Sequence, residues 1–98
     1  MAGTVLCSGS FSGTGTSATF PDGTPFGIQI SGTFVGTVVL ERSLDDGVTW
    51  LQPTLGTGFS SQWTAPASQD FSVTEFGNLY RFRCTAYTSG TINYLAIR

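Results

Sequence analysis

Strand-like segments recur about every ten residues along this chain, with clusters of Gly, Pro, Asp and Ser between them. Helical patterns are missing, because no window repeats apolar residues at positions i, i+3, i+4 and i+7. The strongest strand pattern is LYRFRCTAY at residues 79–87, which predicts one face formed by Tyr80, Phe82, Cys84 and Ala86. This rhythm predicts an all-β fold, an antiparallel β-sandwich of about seven to eight strands that is immunoglobulin-like or jelly-roll-like.

Residues 36–53 predict a β-hairpin. Its first strand is GTVVLERS and its turn is LDDG, in which Asp-Gly readily adopts positive φ. The return strand is VTWLQP, which Pro53 ends. On the solvated face of this sheet we expect Glu41 to pair with Arg81 or Arg83 across neighbouring strands, a contact worth roughly 0.2–1 kcal/mol.

The length of 98 residues suits a single domain with two parts. Residues 1–25 are predicted to form an N-terminal strand and a Gly/Ser/Thr-rich loop or arm, and residues 26–98 the core of the β-sandwich. Phe11 and Phe20 are isolated apolar residues in the first part, so we expect an arm that orders against another surface. Trp63 lies in an irregular stretch, where both core and interface remain open. These three aromatic residues are the candidate assembly contacts.

Four residues are predicted to lie in the core: Trp50, Tyr80, Phe82 and Cys84. Trp50 is placed there, near Tyr80 or Phe82, because a tryptophan after a hairpin turn commonly packs across a sandwich. Cys7 also has apolar neighbours in the sequence. The N-terminus lacks the pattern of a signal peptide, so we expect Cys7 and Cys84 to be unbridged thiols, although their spacing alone does not decide this.

The composition argues against an enzyme. The chain has no His, which excludes Ser-His-Asp and Cys-His nucleophiles and removes the commonest zinc ligand. The acidic turn at Asp45 and Asp46 does not continue with the spacing of a calcium-binding loop. The glycine-rich segments are not followed by the residues of a phosphate-binding loop. We therefore predict no catalytic residues, no cofactor and no metal.

Charge and hydropathy exclude two classes of partner. The net charge is −2 and the chain has only four basic residues, which are too few for a nucleic-acid surface. No run approaches the roughly 18 apolar residues of a membrane span. We predict no nucleic-acid and no membrane partner.

Two blocks of the sequence resemble small β-rich domains of tailed-bacteriophage virion proteins. The first block, SGTFVGTVVLERSLDDGVTW, resembles a hairpin pattern GTW-G-V-LQRS-DGG-TW, and the second, within LYRFRCTAYTSGTINYLAIR, resembles YRFRCTAYTSG. The matching residues are Gly32, Thr33, Gly36, Val38, Leu40, Arg42, Ser43, Asp46, Gly47, Thr49, Trp50 and the stretch 80–90. Phe34 stands where Trp is frequent in that pattern, and the resemblance covers residues 26–98.

The resemblance implies a structural role in a virion. Such domains occur in head decoration, head fibre and tail fibre proteins. A short chain with its own start Met favours a capsid decoration or cement protein, made in the cytoplasm of the bacterial host and bound to the surface of the assembled capsid. Its expected partner is the major capsid protein, and a homotrimer is the favoured oligomer. The alternative is a tail or head fibre module that binds a host-surface glycan or receptor.

Overall fold

The computed structural model describes residues 5–21, 26–52, 61–71 and 79–97. Within these ranges the chain forms strands and turns and contains no helix. The strands are β1 (Val5–Phe11), β2 (Gly15–Thr16), β3 (Phe20–Pro21), β4 (Phe26–Ser31), β5 (Phe34–Ser43), β6 (Gln62–Trp63), β7 (Ala67–Phe71), β8 (Leu79–Gly90) and β9 (Ile92–Ile97).

These strands form two sheets in which every pairing is antiparallel. The first sheet has the order β1-β9-β4-β7, and the second has the order β2-β8-β5-β6, with β3 also pairing with β8. The prediction of an all-β, antiparallel, sandwich-like fold is confirmed. The longest pairing joins β5 to β8, and both blocks of the virion-like pattern meet there.

The core lies between the sheets and follows the alternation of β5 and β8. Val38 and Leu40 of β5 stand opposite Cys84 and Phe82 of β8, and all four side chains are at most 1% exposed. The core cluster consists of Cys7, Phe11, Phe20, Ile28, Ile30, Val38, Leu40, Trp63, Tyr80, Phe82, Cys84, Ile92 and Ala96. Tyr80, Phe82 and Cys84 are therefore buried, as predicted.

Ala86 departs from the predicted alternation and is exposed. The cause is an irregularity in the register, since Val38 pairs with Cys84 while the preceding Thr37 pairs with Ala86. One extra residue of β8 is thus accommodated at Thr85, which moves the following side chain to the other face of the sheet.

The N-terminal segment is part of the sandwich, and the expectation of a separate arm is wrong for residues 8–21. β1 pairs with β9 in one sheet, while β2 and β3 pair with β8 in the other. Ser17 ties the intervening chain to Phe82, because its amide donates to the Phe82 carbonyl at 2.8 Å and its hydroxyl accepts from the Phe82 amide at 2.9 Å. The small polar residues in this segment predict an arm, but in the structure they lie where the chain passes from one sheet to the other.

The predicted hairpin also differs from the structure. The return strand at residues 48–53 is reduced to a single antiparallel bridge between Arg42 and Leu51, and Pro53 lies outside the described residues. The described residues 61–71 contain the strands β6 and β7, and β8 continues through residues 88–90.

Two glycines carry the chain from one sheet to the other. Gly32 joins β4 to β5 with φ of 103°, and Gly90 ends β8 before β9 with φ of 93°. The two corners lie against each other, since the Thr91 amide donates to the Thr33 carbonyl at 2.9 Å. A Cβ on Gly32 would collide with the Thr91 carbonyl oxygen, and a Cβ on Gly90 with the Thr33 carbonyl oxygen. Neither backbone oxygen can move without breaking the corner, so both positions require glycine.

We predict that Gly90→Ala strongly destabilises the protein. The left-handed backbone alone costs on the order of 1–3 kcal/mol for a residue with a side chain, and the collision with the Thr33 carbonyl adds to it. The matched control is Gly13→Ala, where an added Cβ meets nothing within 4 Å. Urea unfolding should give a clearly lower midpoint for Gly90→Ala and nearly the wild-type value for Gly13→Ala. Equal midpoints for the two variants would contradict this account of the corner.

Candidate functional site

The candidate site is the loop that follows β5, residues 44–51, called here the β5 loop. Its two ends are joined by the bridge between Arg42 and Leu51, in which the Arg42 amide donates to the Leu51 carbonyl at 2.7 Å and the Leu51 amide donates back at 3.0 Å. The loop turns tightly at Asp46 and Gly47, whose φ values are 63° and 93°. The predicted Asp-Gly turn is therefore present, but it belongs to a wide closed loop rather than to a two-stranded hairpin.

Side-chain hydrogen bonds hold the interior of the β5 loop. The Ser43 hydroxyl donates to Asp45 Oδ1 and accepts from the Gly47 amide, both at 2.8 Å. Asp45 Oδ1 also accepts from the Thr49 amide at 2.7 Å. The Trp50 indole Nε1 donates to the Gly47 carbonyl at 3.0 Å. Ser43 is completely buried beneath these contacts. The loop is thus braced from within by short polar side chains.

The same contacts change the acidity of Asp45. Hydrogen bonds from the Thr49 side chain, then from the Thr49 backbone and the Ser43 hydroxyl, lower the pKa of Asp45 from its ordinary 3.8 to about 2. All of these donors favour the charged carboxylate. The brace is therefore complete at neutral pH.

Trp50 lies on the outer face of the sheet and not in the core, so its predicted position is wrong. The side chain is half-buried, and the Arg81 guanidinium lies 4.3 Å from the centre of its ring. Arg81 alternates with Tyr80 and Phe82 along β8 and points to the opposite side of the sheet. The β5 loop folds back over this outer face, and it carries Trp50 away from the two aromatic residues that were its expected neighbours.

Glu41 binds both arginines that the sequence offered as alternatives. Its Oε1 accepts from Arg81 Nε at 2.9 Å and its Oε2 accepts from Arg83 Nη1 at 3.4 Å. The carboxylate is buried, with its side chain 8% exposed, while the side chains of Arg81 and Arg83 are 22% and 51% exposed. The expected cross-strand ion pair is confirmed, and together with Trp50 it forms a rigid base under the β5 loop.

The β5 loop presents three large apolar side chains to solvent. Leu44, Val48 and Leu51 are 67%, 81% and 69% exposed, and we call them the apolar tip. Single exposed apolar residues are common on protein surfaces. Three on one short, internally hydrogen-bonded loop make this loop the candidate interaction site among the described residues.

The candidate assembly contacts named from the sequence have a different role. Phe11, Phe20 and Trp63 are 6%, 1% and 7% exposed and belong to the core cluster. Phe20 packs against Phe82 with ring centres 5.8 Å apart. These side chains pack within the sandwich. The sequence pattern places Val48 and Leu51 in a paired strand and so does not predict the apolar tip. The signal that identifies the tip is an apolar residue on each side of the Asp-Asp-Gly turn.

The two cysteines are structural in the described part of the chain. Both are free and buried, and burial raises the pKa of each thiol. Raised pKa values keep the thiols protonated at neutral pH, which makes them poor nucleophiles. The absence of a disulfide in the folded protein stays a prediction, which intact-mass measurement without reductant tests.

Within residues 5–21, 26–52, 61–71 and 79–97, no three His, Cys, Asp or Glu side chains come together as a metal site would need. The same residues include no helix with the length and hydropathy to cross a membrane.

No protein-family model matches the chain, and no curated protein matches it. The resemblance to virion domains therefore stays a hypothesis that the two sequence blocks support. What the geometry adds is the place where those blocks meet, namely the pairing of β5 with β8 and the β5 loop above it.

We predict that the β5 loop loses its brace in acid through Asp45. Its folded-state pKa lies below the ordinary value, so its contribution is complete above about pH 3.8 and is lost as the pH falls toward about 2. In a pH titration by NMR, the Thr49 amide of the wild type should shift with a midpoint near 2. Asp45→Asn should abolish that transition. The control is Asp46→Asn, because Asn tolerates the left-handed backbone of Asp46. A Thr49 transition that survives in Asp45→Asn would contradict the assignment.

We predict that Trp50→Ala lowers the free energy of unfolding by less than the replacement of a buried core aromatic residue does. Losing the stacking on Arg81 should cost about 0.5–2 kcal/mol, and losing the indole hydrogen bond to the Gly47 carbonyl should add about 1 kcal/mol. Phe82→Ala, which empties a fully buried position, should cost about 3–5 kcal/mol. Chemical unfolding of the two variants measures the difference. If Trp50→Ala lowers the free energy of unfolding as much as Phe82→Ala does, the placement of Trp50 outside the core is wrong.

Proposed function

We propose that this protein is a structural virion protein of a tailed bacteriophage, a capsid decoration or cement protein that binds the assembled head and stabilises it. Its partner is the major capsid protein, its place is the capsid surface, and it acts as a homotrimer made in the cytoplasm of the host. The sandwich is of immunoglobulin-like or jelly-roll-like type. The observation that carries the proposal is the apolar tip on its braced loop.

The residues of the virion-like pattern build the scaffold of the β5 loop. Ser43, Gly47, Thr49 and Trp50 match the pattern, and each makes one of the hydrogen bonds that hold the loop. The apolar tip stands at positions outside the matched residues. In this arrangement the matched residues hold the loop, and the unmatched residues at its surface are free to vary with the partner that they contact. It supports an adhesive role for the loop more directly than a catalytic one.

The rigidity of the loop favours binding. Association loses free energy for every side chain and loop that must be ordered, and the hydrogen bonds around Ser43 and Asp45 meet part of that cost before contact. Burying Leu44, Val48 and Leu51 against an apolar surface would contribute a few kcal/mol in all, on the order of 1–2 kcal/mol for each side chain. That is weak for one copy. Three linked copies on a symmetric shell bind far more tightly through multivalency.

A non-enzymatic role is part of the proposal. It rests on a sequence without His and on two buried thiols with raised pKa values. Among the described ionisable side chains, Glu41 and Asp45 are engaged in contacts that hold the fold and the loop.

The test uses undecorated capsids of the phage that encodes the protein. Wild-type protein should co-sediment with the capsids and raise the temperature at which they open. The double variant Leu44→Ser/Val48→Ser should bind at least about tenfold more weakly, since its apolar contact area is reduced. The matched control is Val35→Ser, which removes a valine that is 59% exposed elsewhere on β5.

Three outcomes decide the matter. Loss of binding in the double variant with retention in Val35→Ser supports the proposal. Equal binding by all three proteins would show that the apolar tip is not the contact. If the wild type ignores capsids and is retained on an array of host glycans, the fibre module replaces the decoration protein. Sedimentation equilibrium of the free protein and particle imaging of decorated heads test the trimer.

A further inference from the structure

The outer face of the second sheet carries a polar depression that the β5 loop does not occupy. Its volume is about 570 Å³, and it opens to solvent beside the pairing of β2 with β8. The residues that matter for its chemistry are Thr14, Gly15, Thr16, Arg81, Arg83 and Thr85. Strand pairing fixes the two walls, because Thr16 stands opposite Arg83.

The depression is positively charged although the protein as a whole has a net charge of −2. Arg81 and Arg83 share the single carboxylate of Glu41, which leaves one positive charge uncompensated within this cluster. The carboxylate is buried beneath the arginines, whereas half of the Arg83 side chain is exposed. The groups exposed to solvent at the depression are therefore the guanidinium groups of Arg81 and Arg83, and not the carboxylate of Glu41.

The guanidinium of Arg81 is held in place before any ligand arrives. Glu41 binds its Nε, and the Trp50 ring lies against its face at 4.3 Å. The Glu41 contacts use only Nε of Arg81 and Nη1 of Arg83, and an arginine side chain carries further N–H donors in a fixed planar fork. Such a fork matches the two oxygens of a carboxylate.

The walls of the depression indicate the rest of the ligand. Thr14, Thr16 and Thr85 supply hydroxyl groups, each of which both donates and accepts hydrogen bonds. Hydroxyl groups on the ligand would suit these walls better than hydrocarbon. A carboxylate next to several hydroxyl groups is the chemistry of an acidic sugar. A nucleic-acid chain fits less well, since it needs many phosphate contacts and this cluster offers one net positive charge.

We propose that this depression binds a carboxylated saccharide, a uronic acid or a sugar acid of similar form. Arg83 pairs with the carboxylate, Arg81 assists from its fixed position, and the three threonines bind the sugar hydroxyls. The site goes beyond the capsid role and does not depend on it. The depression begins at Arg81, which stacks on Trp50 of the β5 loop, and extends along β8 to Thr85.

Binding of trigalacturonate to the isolated protein tests the site. Calorimetry gives the affinity, and NMR should show shifts of the Thr16, Arg83 and Thr85 amides. Maltotriose, a neutral trisaccharide, should bind at least tenfold more weakly, and binding of trigalacturonate should weaken as salt is raised. Arg83→Gln should lose at least tenfold in affinity. Arg42→Gln removes one positive charge on β5, outside the depression, and should bind like the wild type, with circular dichroism used to check the fold of both variants.

Further probes separate a sugar site from a simple anion site. Thr85→Val should weaken trigalacturonate several-fold while leaving the much weaker binding of acetate unchanged. The proposal is overturned if acetate or sulfate binds as tightly as trigalacturonate, if maltotriose does so, or if Arg83→Gln binds normally. Equal affinity for a triglutamate peptide would also overturn it, in favour of a protein partner. Because the assay contains no capsids, its failure leaves the capsid proposal untouched.

Discussion

The pairing of β5 with β8 is the interaction on which the other features depend. Its inner face supplies Val38, Leu40 and Phe82 to the core, and its outer face places Glu41 directly opposite Arg81. Replacing one partner of such a buried pair would leave a charge without compensation, which is costlier than the modest worth of the pair itself. One register therefore fixes the apolar and the ionic layers together, and a slip by one residue would bury arginines and expose leucine.

The two ends of this pairing do different work. At one end the chain changes sheet at two glycines. Gly32 leads from β4 into β5, and Gly90 leads from β8 into β9. At the other end Ser43 is buried and begins the hydrogen bonds of the β5 loop. The apolar tip and the depression lie on the same sheet, because the first follows β5 and the second is lined by β8, which pairs with β5. The loop and the arginines share the stacking of Trp50 on Arg81, which links the apolar tip to the floor of the depression.

The fold class and the inner face of β8 could be predicted from the sequence, because period-two alternation is a local signal that burial reinforces. The position of Trp50 could not, since it depends on a loop that closes through Ser43 and Asp45 and folds over the sheet. The role of Phe11 and Phe20 is not predictable from the sequence, because a Gly/Ser/Thr-rich segment is typical of a linker, whereas backbone and aromatic contacts join this segment to β8. The apolar tip could not be predicted either. Alternation of apolar and polar residues predicts which side chains are buried only where the strand is paired, and residues 44–50 are not paired.

The pairing of β1 with β9 sets the order in which the molecule can be completed. Val5 lies opposite Ile97, so the first described strand finds its partner only after the last one has been synthesised. Until then both edges of β1 are unpaired, and closing the long chain between the two strands carries an entropy cost that slows folding. A nascent chain therefore exposes an uncharged strand edge for most of its synthesis, which is the condition under which neighbouring copies pair with each other instead. Closure between the two ends of the described chain thus favours slower folding than a fold built only from neighbouring hairpins.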